Sequence, residues 1–317
     1  MQPLLEVKHL SKSWGERHVV NDLSFHVEAS EAFGLLGPNG AGKSTTMMMI
    51  AGVLTPDSGE ILIRGEKMTA ESRELRKHLG VVPQDLAIYP DLSARENLNF
   101  FGRLYGLSRD LLHQRVDEGL HRVGLASRAD DAAGTFSGGM KRRLNFAAAV
   151  LHHPSLLILD EPTVGVDPQS RAHLLDCVRE LQSSGTAVIY ASHYLEEVET
   201  VCSRAAIVDH GTLLACDSIP ALLKQIPLEI ELRLTQPNVP TDLPAGPGVM
   251  IQQGESGSDA ILKISTADSG SEAALHSQMT ELLRLLAEHH LSVRSIRTLE
   301  PNLERLFLKL TGSRLRD

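Results

Sequence analysis

Residues 37 to 44 read GPNGAGKS, the spacing G-x-x-x-x-G-K-[ST] of a loop that wraps phosphate. Each residue type there has a task. Gly37, Gly40 and Gly42 take away the side chains that would hold an anion off the backbone, while Pro38, Asn39 and Ala41 complete the turn. Lys43 can reach the β and γ phosphates, and the Ser44 hydroxyl can ligate magnesium. Thr45 carries the chain into a helix whose N-terminal dipole favours negative charge. The motif therefore predicts a bound nucleoside triphosphate with Mg2+. A second stretch, LLILDEP at residues 156 to 162, ends an apolar run on two acids. An acid closing a buried strand beside a phosphate loop is placed to hold the magnesium, the role expected of Asp160. Glu161, one residue on, can polarise an attacking water as a general base.

A third stretch raises a question of its own. TFSGGMKRRL, residues 135 to 144, puts Gly138 and Gly139 at the start of a helical pattern. Glycine in a helix costs about 1 kcal/mol relative to alanine, so a pair there implies that something approaches the backbone closely. His193, after TAVIYAS, and Gln84, in VVPQD, carry no assignment by themselves. Adjacent histidines at 152–153 and 289–290 point in different directions on a helix, so no metal is expected there. Lys141, Arg142 and Arg143 read as a solvated helix face, with a coupling role as the alternative.

The surrounding patterns supply the scaffold. Residues 4 to 36 alternate apolar and polar positions between turn signals, as half-exposed strands do, and FGLLG at 33–37 is a short buried strand entering the phosphate loop. From Asp91 to His153 the texture is helical. Ser93 and Glu96 have capping-box spacing, and Leu112, Val116, Leu120 and Val123 recur at helical intervals. LLILD, TAVIYASH and RAAIVDHG are β-branched runs separated by helical patterns, which predicts a parallel sheet covered on both faces. Beyond Lys224 a separate α/β segment follows. It holds the alternating LEIELRL, a loop with Pro237, Pro240, Pro244 and Pro247, a strand in AILKIS, an amphipathic stretch at 271–291, and a closing strand and helix.

The chain has 317 residues, room for two domains, and 40 acidic against 31 basic residues, a balance that argues against a general nucleic-acid binder. Its three cysteines are too far apart for a metal or redox motif and odd in number, as in a reducing compartment. Glu6 and Lys8 interrupt any signal-peptide core, and the longest apolar runs are far short of the roughly 20 residues that span a bilayer. A membrane role must come through a partner.

In their order along the chain these motifs resemble those of the ATP-binding cassette (ABC) ATPases. The order is an aromatic, Trp14; the phosphate loop, Gly37 to Ser44; Gln84; a signature, FSGGM, from Phe136 to Met140; Asp160 with Glu161; GVDP from Gly165 to Pro168; and His193. The resemblance covers residues 1 to about 224, and the shapes of SGGMKRRL and EPTVGVDPQSR are most similar to ATPase subunits of type-2 ABC exporters. The tail LEPNLERLFLKLTG extends it with less specificity. Phe136 and Met140 replace the usual leucine and glutamine of the signature, Trp14 a tyrosine, and Val166 a leucine.

The resemblance implies an α/β P-loop NTPase with a RecA-like core, an antiparallel β subdomain and a helical subdomain at about 85–154. Residues 1–224 would be the nucleotide-binding domain and 225–317 an accessory α/β domain. It implies that two such subunits, here expected to be a homodimer, face head to tail and close over two ATP. Ser137, Gly138 and Gly139 of one would meet the γ-phosphate held by the other, a side chain at either glycine obstructing that approach. Trp14 would stack on adenine, magnesium would sit on Ser44, Gln84 and Asp160, His193 would sense the γ-phosphate, and Asp167 would couple the sites. A separate permease, of the type-2 exporter kind, would place the chain at the cytoplasmic face of a membrane. The rival, an ABC ATPase acting on ribosomes or DNA, usually has two cassettes or a long coiled coil, and neither pattern is present here. A GTPase would need an NKxD-type guanine-reading motif, also missing. Nothing in residues 225–317 names a transported substrate.

Overall fold

A computed structural model describes residues 2–236, 239, 249–252, 260–266 and 272–312. The proline-rich loop expected at Pro237, Pro240, Pro244 and Pro247 lies outside the described residues. The chain forms two compact units, Met1–Ile219 with Leu310–Asp317, and Pro220–Lys309.

The first unit begins with β1 (Leu5–Trp14), β2 (Arg17–Val27) and β3 (Ala32–Leu36), then α1 (Lys43–Ile50), β4 (Ser58–Ile63) and β5 (Glu66–Lys67). A short α2 (Arg73–Arg76) and β6 (Leu79–Val82) lead to α3 (Ala94–Leu104), α4 (Arg109–Arg122) and α5 (Gly138–Val150). The chain then returns to β7 (Leu156–Asp160), α6 (Pro168–Ser183), β8 (Ala187–Ser192), α7 (Leu195–Val201), β9 (Arg204–Asp209) and β10 (Thr212–Ser218). The strands make two sheets. One is antiparallel, in the order β2-β1-β4-β5, and the other has six strands in the order β10-β9-β3-β8-β7-β6. In the larger sheet β9, β3, β8, β7 and β6 run parallel, with β10 antiparallel at one edge. Every residue of β3, β7 and β8 is buried, which is why these strands read as unbroken apolar runs.

This register decides where chemistry can occur. β3, β8 and β7 are neighbours running the same way, so the loop after β3, the acids closing β7 and the histidine after β8 emerge at one edge. In open α/β sheets the carboxyl ends of the strands are where ligands bind. One apolar core ties the two sheets together, with Phe25 of the antiparallel sheet stacked on Phe33 of β3 at 5.2 Å. Each fully buried side chain of this size stabilises the fold by about 1.5–3 kcal/mol.

The helical stretch is organised by its caps. Ser93 Oγ accepts from the Glu96 N–H (3.1 Å) while Glu96 Oε2 accepts from the Ser93 N–H (2.8 Å), the reciprocal pair that the spacing predicts. Leu98 of α3 and Leu112, Val116 and Leu120 of α4 are buried. Arg142 and Arg143 are not the solvated pair expected from sequence. Arg142 is 8% exposed and donates to the carbonyls of Gln84 and Val164, and Arg143 donates to the Val123 carbonyl (2.8 Å). Long cationic stems lie along apolar surface while their heads satisfy carbonyls that no helix or strand uses.

The second unit is an antiparallel sheet in the order β12-β13-β11-β14, made of Glu229–Leu234 (β11), Val249–Gln252 (β12), Ile261–Ser265 (β13) and Val293–Leu299 (β14). Ile230, Leu232, Leu234, Leu262 and Ile264 pack with Leu275, Leu282 and Leu286 of the helix Glu272–Glu288. The alternation of LEIELRL is imperfect in burial, because Glu231 is also covered and pairs with Arg233 (3.0 Å) and Lys263 (3.7 Å).

Candidate active site

The phosphate loop is held open by its glycines against its own chain. A Cβ on Gly37 would lie 2.2 Å from the Val208 carbonyl oxygen, and one on Gly42 2.4 Å from that of Val19. Gly42, the N-cap of α1, has φ +99°, a conformation that side chains disfavour. At the start of α1 the Lys43 ammonium, 5% exposed, donates to the carbonyls of Gly37 (2.7 Å) and Pro38 (3.1 Å), so it is anchored over the loop. Burial lowers its pKa, with Glu161 and then Asp160 opposing that shift. Beside the loop opens a cleft of about 420 Å³ whose walls include Trp14, Asn39, Gly40, Lys43, Ser44, Thr45, Gln84 and Glu161.

The two acids differ in surroundings. Asp160 closes β7, and burial raises its carboxyl pKa, opposed by a hydrogen bond with the Ser44 hydroxyl. Its Oδ1 is buried without a hydrogen-bond partner. A desolvated carboxylate oxygen with a free lone pair, next to a hydroxyl at the mouth of a phosphate loop, is the donor set that a hard divalent cation takes.

Glu161 is the point on which the rest converge. Gln84 Nε2 donates to its Oε2 at 3.4 Å, Lys43 Nζ lies 3.9 Å from its Oε1, and His193 Nδ1 lies 3.2 Å from the same oxygen. The His193 contact has the distance of an ion pair without the angle of a hydrogen bond. Glu161 itself has φ +48°, uncommon for a side chain that long, and its N–H donates to the Ala191 carbonyl of β8 (2.9 Å). Residues in such conformations gather at functional sites, where the surrounding structure over-determines them.

The second glycine-rich helix start is a different place. Ser137 caps α5, its Oγ accepting from the Met140 N–H at 3.3 Å. The two glycines beside it separate in role. A Cβ on Gly139 would lie 2.4 Å from Ser170 Oγ and 2.8 Å from Asp167 Oδ2, so its smallness is demanded by the N-terminus of α6 in the same chain. That intrachain demand stands beside the expected approach of an outside group to the backbone of both glycines. At Gly138 a Cβ would meet nothing nearer than the Gly165 carbonyl at 3.8 Å. Asp167 caps α6, accepting from the Ser170 N–H at 2.9 Å, and that bond lowers its carboxyl pKa. Ser137, Gly138, Gly139 and Asp167 do not line the cleft that Lys43 and Glu161 share.

Several supporting residues carry no motif and went unread in the sequence. Asn97, fully buried, accepts from the Tyr89 N–H (2.8 Å) and donates to the carbonyls of Tyr89, Leu92 and Ser93. Asn145 accepts from the Ala87 N–H, and Arg142 holds the Gln84 carbonyl, so the segment after Gln84 is fastened to α3 and α5. Buried Glu197 of α7 accepts from Thr163 (2.8 Å), Tyr190 (2.7 Å) and Ser192 (3.3 Å), joining the segments that follow Glu161 and precede His193. The only sequence signal for these is a polar residue at an otherwise apolar position.

The family model described as "ABC transporter" matches residues 20–164. The chain is 43% identical to the linearmycin resistance ATP-binding protein LnrL of Bacillus subtilis over 99% of this chain and 100% of that protein. It is 36% identical to the Nod factor export ATP-binding protein I of Sinorhizobium fredii over 99% of this chain and 87% of that one. Among solved structures, one described as the ATP binding subunit of an ABC transporter superposes with a TM-score of 0.65 at 32% identity, over 70% of this chain and 92% of its own.

Proposed function

The chain belongs to the ABC transporter family as an ATP-binding, ATP-hydrolysing subunit, and from that premise we propose that two copies clasp two ATP and drive an exporter permease of the type-2 kind. Subunits of this family work with transmembrane partners. Among the described residues no helix is long and apolar enough to cross a membrane, which agrees with an engine attached to a separate permease. The exporter reading draws on relatives named for export and for resistance, and the cytoplasmic face follows from it. An ABC ATPase acting on nucleic acid is not favoured.

One observation carries the reading: Lys43, Gln84 and His193 converge on a single carboxylate, Glu161, at the edge of the cleft beside the phosphate loop. In this proposal residues 1–224 are the nucleotide-binding domain and 225–317 the accessory domain. The loop from Gly37 to Thr45 holds the phosphates, Trp14 stacks on adenine, and Glu161 takes the proton of the water that attacks the γ-phosphorus as the bond to ADP breaks. His193 and Gln84 keep that carboxylate in place. Magnesium would be held by Ser44, Asp160 and Gln84, and when bound it supplies charge neutralisation to the phosphate oxygens. The orphaned Asp160 Oδ1 supports that assignment. Ser137, Gly138 and Gly139, outside the cleft, are assigned to the nucleotide of the partner copy.

Replacing Glu161 with Gln tests this. The variant should keep its ATP affinity within about threefold, lose at least roughly 100-fold in turnover, and accumulate as an ATP-bound dimer in light scattering. Hydrolysis at the wild-type rate in that variant removes Glu161 from its role.

A further inference from the structure

One wall of the cleft is made by a residue that no motif includes. Trp14 and Arg17 are register partners across the tight β1–β2 hairpin, so an aromatic and a cation stand side by side at the cleft. The Arg17 guanidinium reaches the phosphate loop itself: its Nη2 lies 3.5 Å from the point a Cβ on Gly40 would occupy. Among the described residues no carboxylate stands within ion-pair distance of Arg17, in contrast to Arg95, Arg115 and Arg128, each of which has one. Apart from Arg17, the charged side chains lining the cleft among the described residues are one acid, Glu161, and one ammonium, Lys43, which also feels the charge of Asp160. A triphosphate adds further negative charge, so a second cation in reach of the loop is what the local charge balance lacks.

We propose that Arg17 is a nucleotide-binding residue of this chain, its guanidinium fork closing on the phosphate chain of ATP from the hairpin side while Lys43 holds it from α1. A planar fork of N–H donors matches phosphate oxygens in a way that a point charge does not. The position beside Gly40, within the loop, assigns the contact to phosphate; Trp14 is left to serve the base. The assignment rests on the nucleotide-site reading above, and its effect belongs to affinity, because the groups paired with Glu161 are Gln84, Lys43 and His193 and not Arg17.

Trp14 is the only tryptophan in the chain and is 57% exposed, so its emission reports nucleotide entering next to Arg17. The experiment titrates full-length wild type, Arg17→Ala and Arg17→Lys with ATP, ADP and adenosine, following that fluorescence at low and high salt, with steady-state hydrolysis alongside. Arg17→Ala should weaken ATP about tenfold, the size of one charge-assisted hydrogen bond, and leave adenosine unchanged. Arg17→Lys should recover part of the loss, the gap to wild type should narrow as salt rises, and kcat at saturating ATP should stay within about twofold. Unchanged ATP affinity in Arg17→Ala overturns the proposal, and so does an equal loss for adenosine, which would place Arg17 on the base or ribose. A wild-type chain that binds no ATP by equilibrium dialysis overturns the nucleotide site as well, a result separate from either of those.

Discussion

Both glycine-rich helix starts, at α1 and at α5, offer backbone N–H groups to an anion, yet they are finished differently. The first is enclosed by its own chain: Gly37 and Gly42 are pressed against carbonyls of β9 and β2, Lys43 is anchored over the loop, and a cleft opens beside it. The second is finished on one side only. Gly139 packs on the α6 N-terminus, whereas a Cβ on Gly138 would meet only the Gly165 carbonyl at 3.8 Å, and Ser137 stands outside the cleft. In the proposed reading the first, complete alone, holds phosphate alone, and the second receives what a partner brings to it. That difference is the physical basis for assigning the first to binding and the second to closure around a partner's nucleotide.

The largest effects should fall on the complete site. Lys43→Ala removes the one buried ammonium at the loop and is expected to lower ATP affinity by roughly 100-fold or more, read by equilibrium dialysis. Retained affinity would mean that the loop's amides suffice without it, and the contrast between the two helix starts would weaken. The two signature glycines sharpen the contrast further. Gly139→Ala forces a Cβ into the Asp167–Ser170 cap and should cost about 1–3 kcal/mol of stability in urea unfolding, with ATPase loss following from that. Gly138→Leu should leave the unfolding free energy within about 1 kcal/mol and ATP affinity unchanged, yet cut turnover about tenfold or more and abolish ATP-dependent dimerisation. Equal behaviour of the two variants would erase the distinction drawn between them.

How much of this could be read from residues alone divides along the same line. The phosphate-loop motif is visible because its glycines and lysine stand at fixed spacing within nine residues, although Gly37 and Gly42 also answer to carbonyls of their own chain; the strand ends at Asp160 and His193 are visible through their apolar runs. Capping of α3 by Ser93 and Glu96 was legible for the same reason, a local rule acting over four residues. Long-range polar fastening was not. Arg142 looked like one of three surface cations because nothing nearby in sequence announces the Gln84 carbonyl it serves, and buried Glu197 sits among the exposed-looking acids of YLEEVET. The demand on Gly139 was likewise hidden, since it comes from α6, about thirty residues on.

Ser137 offers the smallest but most discriminating test, because its hydroxyl has two possible employments. As N-cap of α5 it accepts from the Met140 N–H, and Ser137→Ala should cost about 1 kcal/mol for that reason alone. Aspartate caps as well as serine does, so Ser137→Asp should hold the unfolding free energy within about 0.5 kcal/mol of wild type. It also places a fixed negative charge where an anion is proposed to arrive. If α5 closes on a partner's γ-phosphate, Ser137→Asp keeps its fold and its ATP affinity as a monomer while dimerisation with ATP and turnover both collapse. If the serine is only a cap, the aspartate variant hydrolyses ATP as wild type does, and the open side of Gly138 is merely solvent.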